Sequence, residues 1–131
     1  MGLTSFPNGV EADVTGNLTG GIRQPVVVVS ANGAISIPAY STTYHITKAG
    51  VAAMTLADPT AGTHDGVRLT FIADTAQAHT LSNAAGSGFN GGGASMDIGT
   101  FGGAIGDGIM VEAYNGKWYV VPGGNTNVTL A

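Results

Sequence analysis

Short runs of alternating apolar and polar residues dominate the pattern of this chain. In the run 67–73, the apolar side chains of Val67, Leu69 and Phe71 would face one side of a strand and Arg68 the other. An alternation with a period of two is typical of a half-buried β-strand. The run therefore predicts a strand of the hydrophobic core.

The first of two Asn-Gly pairs, Asn32-Gly33, separates two β-branched runs. Asn-Gly in this setting is typical of a type I′ hairpin turn, because both turn residues need a positive φ. The register expected from such a turn pairs Ser30 with Ile35 and Val28 with Ile37. Val28, Ile35 and Ile37 would then share one face of the hairpin.

The second pair, Asn115-Gly116, predicts a hairpin with a better determined register. Only one alignment separates an apolar face, with Trp118 on it, from a polar face, because a slip by one residue would mix the two. Tyr114 and Tyr119 fall on the polar face, where they are available to a partner. Counted outward from the turn, the expected pairs are Tyr114 with Lys117, Ala113 with Trp118, Glu112 with Tyr119, and Val111 with Val120.

The whole pattern predicts an all-β protein with two parts. Residues 26–131 contain about eight short strands without a helical stretch, which is typical of a β-sandwich, jelly roll or small barrel. We expect a single β-sandwich or jelly-roll-like domain of antiparallel strands. Residues 1–25 are predicted to form an extended N-terminal arm, because Pro7 and several glycines disfavour a helix. We expect the apolar residues of this arm to anchor it on a neighbouring subunit or a larger scaffold. These residues are Leu3, Phe6, Val10, Val14, Leu18 and Ile22.

Charge is scarce along the chain. Charged residues make up 9% of the 131 residues and give a net charge of −4, whereas about a quarter is usual. A nucleic-acid partner is not expected, because neutralising phosphates requires a dense basic patch. A membrane partner is not expected either, since no apolar run approaches the length of a bilayer span. A surface so poor in charge resembles the core of a protein interface, and we therefore expect a homo-oligomer.

The sequence predicts no catalytic residue, no cofactor and no metal site. The run 86–91 matches G-x-G-x-x-G, but more glycine follows where a dinucleotide site needs a helix, so a loop is the better interpretation. The three histidines lack the spacing of metal ligands, and there is no cysteine. Asp97 and Asp107 could meet in space as a carboxylate pair, but a role without enzymatic activity is favoured.

Four segments carry a resemblance to a known class of proteins. The run 100–108, continuing into Asn115-Gly-Lys-Trp-Tyr-Val120, resembles a segment that recurs in structural proteins of tailed bacteriophages. The runs 64–69 and 78–81 are similar to earlier parts of the same module, and the opening Thr4-Ser-Phe-Pro-Asn-Gly-Val10 is similar to the start of other phage virion proteins. These modules occur in capsid decoration proteins and in tail fibres.

The resemblance implies a structural role in the virion. A short arm joined to one compact β domain favours a capsid decoration, or cement, protein, which binds the outer capsid surface and clamps adjacent major capsid protein subunits. The arm residues would then anchor on the capsid or on a neighbouring subunit. Analogy with other decoration proteins favours a trimer over a dimer. The protein would be made in the host cytoplasm and located on the capsid surface of the virion. The alternative is a tail-fibre or adhesin module that binds host surface glycan.

Overall fold

The computed structural model describes residues 23–83 and 86–131, in which the chain forms ten β-strands and one turn of 3₁₀-helix. Within these ranges, no helix is long and apolar enough to cross a membrane. The predicted arm residues from Leu3 to Ile22 lie outside the described residues. The strands are β1 (Val26–Val29), β2 (Gly33–Ile35), β3 (Thr42–Ile46), β4 (Ala53–Leu56), β5 (Arg68–Ala73), β6 (Thr80–Asn83), β7 (Ile98–Phe101), β8 (Gly108–Tyr114), β9 (Lys117–Thr126) and β10 (Val128–Leu130).

The strands form two mixed sheets of five strands each. Sheet A has the order β1-β3-β5-β8-β9, and sheet B has the order β10-β7-β6-β4-β2. In each sheet the first three strands along the chain are parallel, and the remaining pairs are antiparallel. The prediction of an all-β fold is confirmed, whereas the prediction of wholly antiparallel pairing is wrong.

The parallel strands arise because the chain alternates between the two sheets. From β1 to β6, each strand lies in the sheet opposite to that of its predecessor, and from β3 onward it pairs with the strand two places earlier. We call one passage through both sheets a coil. The first coil is β1–β2, the second β3–β4 and the third β5–β6.

The first predicted hairpin does not form. β1 and β2 lie in different sheets, so the expected pairs of Ser30 with Ile35 and Val28 with Ile37 are wrong. Asn32 does not adopt the positive φ of a type I′ turn, and its Oδ1 instead accepts the backbone N–H of Ala53 at 3.0 Å. Each strand gains a parallel neighbour, β3 or β4, and this tertiary pairing overrides the local turn preference.

The second predicted hairpin forms with the expected register. β8 and β9 pair across Asn115 and Gly116, which have φ angles of 47° and 78°. All four predicted cross-strand pairs are present. Beyond them, a β-bulge between Ile109 and Val111 shifts the register, so that Ile109 pairs with Asn125.

The inward faces of both sheets contribute to one hydrophobic core. Phe71 of β5 is fully buried and stacks on Tyr44 of β3, with ring centroids 4.9 Å apart. Trp118 of β9 is also fully buried, and its Nε1–H donates to the backbone oxygen of Ala57 at 2.8 Å. Phe89 enters this core from the loop between β6 and β7. Phe71 and Trp118 are thus buried on the inward faces that the sequence predicted for them.

Candidate interaction surfaces

The outward side chains of sheet B form an uncharged surface, which we call the B face. None of the five strands of sheet B contains a charged residue. The strand registers align Thr80, Thr100 and Thr129 in one row across β6, β7 and β10. The B face comprises Ala34, Ala53, Thr55, Thr80, Ser82, Ile98, Thr100 and Thr129.

The outward side chains of sheet A form a surface that carries charged side chains among apolar and aromatic ones, and we call it the A face. His45 Nδ1 lies 2.8 Å from Asp74 Oδ1, and Arg68 Nε lies 3.4 Å from Glu112 Oε1. Both pairs are solvent-accessible, so each contributes at most about 1 kcal/mol to stability. The A face comprises Val26, Val28, Thr43, His45, Arg68, Thr70, Ile72, Met110, Glu112, Tyr114, Lys117 and Tyr119.

The two tyrosines predicted to face a partner lie on the A face. Tyr114 is 63% exposed opposite Lys117, and Tyr119 is 37% exposed opposite Glu112. Tyr40, which is also exposed, lies between β2 and β3. The hairpin therefore brings two aromatic side chains and two charges to the same surface.

The six predicted anchor residues cannot be placed on either face, because they lie outside the described residues. Their anchoring role remains a prediction. Chain continuity alone relates them to the fold, since Arg23 and Pro25 lead directly into β1.

The fully buried side chain of His79 has a structural role. Its Nδ1 accepts the backbone N–H of Ala52 at 3.0 Å, so its proton must lie on Nε2, which is 3.1 Å from Thr75 Oγ1. The Thr75 hydroxyl in turn donates to the backbone oxygen of Lys48 at 2.7 Å. The ring also packs edge-on against Phe101. Both ring nitrogens are thus satisfied without a ligand.

This arrangement predicts a loss of stability in acid. Burial lowers the pKa of His79 below its usual 6.5 and outweighs a hydrogen bond with the backbone of Thr75, which raises the pKa. The contribution of His79 is therefore fully present above the unfolded pKa of 6.5 and is lost as the pH falls through the lower folded pKa. Urea unfolding measured between about pH 5 and about pH 8 will show a lower free energy of unfolding at the acid end of this range. The variant His79→Gln should be less stable at neutral pH but have a flatter pH profile, and an equally steep profile would contradict the assignment.

The described residues hold no group of three His, Asp or Glu side chains that could bind a metal ion. His64 Nδ1 accepts the backbone N–H of Thr60 at 2.8 Å, so its side chain is engaged by the loop between β4 and β5. His45 pairs with Asp74 alone on the A face. Each of the three histidines therefore makes its own hydrogen bonds, with partners that the other two do not share.

The buried Asp107 closes the glycine-rich turn between β7 and β8. Its Oδ2 accepts the backbone N–H of Ala104 at 2.8 Å, and its Oδ1 accepts a side-chain N–H of Asn127 at 3.0 Å. These two hydrogen bonds, the first more than the second, hold the pKa of Asp107 below its ordinary value. Both carboxylate oxygens are thus engaged in structure. Asp97 contributes a different contact, since its backbone oxygen accepts the N–H of Asn83 at 2.7 Å.

A second polar cluster, which the sequence did not reveal, fixes the loop that contains Phe89. The buried Asn83 donates from Nδ2 to Asp58 Oδ1 at 2.9 Å and accepts the N–H of Gly88 at 3.3 Å on its Oδ1. Ser87 donates its hydroxyl to the same Asp58 oxygen. In the sequence, the one sign of a buried polar group here is Asn83 itself, which takes an inward position of β6 where the alternation would place an apolar residue.

The G-x-G-x-x-G run lies in this loop, as predicted. Gly86, Gly88 and Gly91 all have positive φ, between 68° and 75°. One turn of 3₁₀-helix, Gly93–Ser95, follows the run where a dinucleotide site would have an α-helix. The three glycines therefore allow the left-handed backbone conformations that this loop requires.

Comparisons with known proteins give no family assignment. No model of a known protein family matches this chain, and no curated protein matches it.

Proposed function

We propose that this protein is a decoration, or cement, protein of a tailed-bacteriophage capsid and that it has no enzymatic activity. It binds the outer surface of the shell and clamps adjacent major capsid protein subunits. The uncharged B face is the observation that carries the proposal, and the sequence resemblance supports it. The centre of a protein interface is depleted of charged residues, because burying an unpaired charge is costly.

The chemistry of the B face suits docking against a protein shell. Alanine loses no side-chain entropy on burial, and threonine has a stiff χ1, so ordering this surface costs little. We further propose that the two sheets pack face to face as a sandwich. The B face would then point to the shell, and the charged A face would point to solvent.

The size of the B face favours several copies acting together. Five strands about 4.8 Å apart and about 13 Å long offer roughly 300 Å² of flat surface, whereas a stable interface covers about 800 Å² on each partner. We therefore propose a homo-oligomer, with a trimer favoured, whose copies bind the shell simultaneously. Joining weak contacts in this way raises the overall affinity without any new contact.

Binding to purified shells that lack the protein tests this proposal. Wild type should co-sediment with such shells, and Thr100→Lys on the B face should bind about tenfold or more weakly, because the introduced charge would be buried without a partner. The matched control is Thr70→Lys, which changes an outward threonine in the central strand of the A face and should bind within about twofold of wild type. If wild type does not bind, the proposed function is wrong. If the two variants bind alike, the B face is not the docking surface.

A tail-fibre or adhesin module is the second candidate, favoured by the exposed Tyr114 and Tyr119. Aromatic side chains with an apolar body and a polar tip suit contacts with sugars. A glycan array separates the candidates. Specific binding that disappears in Tyr114→Ala and Tyr119→Ala would favour the adhesin, and shell binding without glycan binding would favour the decoration protein.

A further inference from the structure

Three Asn-Gly pairs lie in the described residues. Two of them are the pairs that predicted hairpin turns, Asn32-Gly33 and Asn115-Gly116, and the third is Asn90-Gly91 in the loop between β6 and β7. An asparagine followed by glycine is especially open to loss of its side-chain amide, because glycine has no Cβ to keep its backbone nitrogen away from the preceding side chain. The structure holds the three asparagines in different ways.

The side chains of Asn32 and Asn90 are each tied to a strand that is distant in sequence. Asn32 Oδ1 accepts the backbone N–H of Ala53 at 3.0 Å. Asn90 Oδ1 accepts the backbone N–H of Val120 at 2.8 Å, and the N–H of Asn90 donates to the oxygen of Trp118 at 2.8 Å. A side chain fixed through its carbonyl oxygen can turn toward the next residue only after this hydrogen bond breaks.

The side chain of Asn115 is not tied in this way. It is exposed at the tip of the β8–β9 hairpin and makes no hydrogen bond with the described residues, whereas the backbone N–H of Asn115 donates to Asp65 Oδ1 at 2.9 Å. The N–H of Gly116 has no hydrogen-bond acceptor in the described part of the chain either. The side-chain carbonyl carbon of Asn115 and the backbone nitrogen of Gly116 are therefore free of hydrogen bonds that would hold them apart.

We propose that the side chain of Asn115 deamidates spontaneously in the folded protein, whereas the fold protects Asn32 and Asn90 from the same reaction. The backbone nitrogen of Gly116 gives its proton to the solvent and forms a bond to Cγ of Asn115, and the side-chain nitrogen leaves as ammonia. Water then adds to one carbonyl carbon of the succinimide ring and breaks the bond between that carbon and the Gly116 nitrogen, which regains a proton. The proposal does not depend on the proposed function.

The carbon that water attacks decides which product forms. Attack at Cγ gives aspartate, and attack at the main-chain carbonyl carbon gives isoaspartate, whose main chain runs through the side chain and contains an additional carbon. This carbon lengthens the turn that sets the hairpin register. The reaction also adds a negative charge close to Asp65, whose Oδ1 accepts the N–H of residue 115. Both changes weaken the pair of Tyr114 with Lys117 that closes the hairpin.

Incubation of the full chain in mildly alkaline buffer tests the proposal, because the attacking nitrogen must lose its proton. Replacing the amide by a carboxylate raises the mass of a peptide, so tandem mass spectrometry of protease digests follows each asparagine separately. In the folded protein, conversion at Asn115 should be at least about tenfold faster than at Asn32 or Asn90. The matched control is the same protein unfolded in concentrated urea, where the three sites should convert at similar rates.

Each outcome of this comparison bears on the proposal. A faster conversion at Asn115 that requires the fold supports it. Equal conversion of the three sites in the folded protein would overturn it, and so would conversion at Asn115 only after unfolding. A preference for Asn115 that persists unchanged in urea would overturn it as well, because the local sequence and not the fold would then be the cause.

The variant Asn115→Asp separates the two effects on the hairpin. It carries the new charge on an unaltered main chain, whereas the purified isoaspartate form carries the charge on a lengthened main chain. Hydrogen exchange at the N–H groups of Tyr114 and Lys117 should be at least about tenfold faster in the isoaspartate form than in Asn115→Asp. Equal exchange in the two proteins would contradict the expected effect on the turn.

Discussion

Replacing Trp118 by alanine will lower the free energy of unfolding by about 3–5 kcal/mol. Trp118 has the largest of the fully buried side chains, so truncation leaves a large cavity in the hydrophobic core. It also removes the N–H that satisfies the backbone oxygen of Ala57. Urea unfolding followed by circular dichroism measures the loss, which is a large part of the stability of a typical small domain.

The matched control for this prediction is Tyr119→Ala in the same strand. Tyr119 points to the A face and is partly exposed, so its truncation should cost about 1 kcal/mol or less. Equal losses for Trp118→Ala and Tyr119→Ala would contradict the observed orientation of β9.

Replacing Gly88 by alanine will destabilise the protein by about 2–5 kcal/mol. Gly88 has a φ of 68°, and a Cβ placed on it would lie 2.6 Å from the backbone nitrogen of Gly93 and also contact its oxygen. The backbone of Gly93 cannot withdraw easily, because its N–H donates to the oxygen of Ser87 at 3.0 Å. Thermal unfolding should therefore show a clearly lower midpoint.

Gly86→Ala separates the two causes of this effect. Gly86 has a similar φ of 75°, but a Cβ there meets no atom within 4 Å among the described residues other than its chain neighbours. Only the cost of the left-handed backbone applies, about 1–2 kcal/mol. If Gly88→Ala is no more destabilising than Gly86→Ala, the close contact with Gly93 is not the cause.

The second hairpin could be predicted in detail because all its determinants are local. Asn115-Gly116 sets the turn, and the alternation on both sides of it sets the register within a few residues. The identical turn signal at Asn32-Gly33 failed, because the partners of β1 and β2 are 17 and 21 positions away and the local pattern does not reveal them. A strand pattern thus predicts that a residue is in a strand, but it does not specify which strand will be its neighbour.

The candidate surfaces were predictable to different degrees. Tyr114 and Tyr119 could be assigned to an outward face from the hairpin alone. The B face could not be assigned, because Thr80, Thr100 and Thr129 come together only through non-local pairing. The burial of His79 and Asp107 could not be predicted either, because the sequence around a polar residue in a short strand or turn does not reveal its hydrogen-bond partners.

The winding of the chain between two sheets also determines the order in which its parts can assemble. The β8–β9 hairpin closes a turn of only two residues, so its pairing is the most local in the fold among the described strands. The coils close loops of 17 to 27 positions, and the entropy of closure differs between these lengths by only about 0.4 kcal/mol. No coil is therefore strongly favoured over another, whereas the hairpin that contains Trp118 has a kinetic advantage over all of them. Folding that begins at this hairpin would supply β8 as the template on which β5 and then the parallel strands assemble.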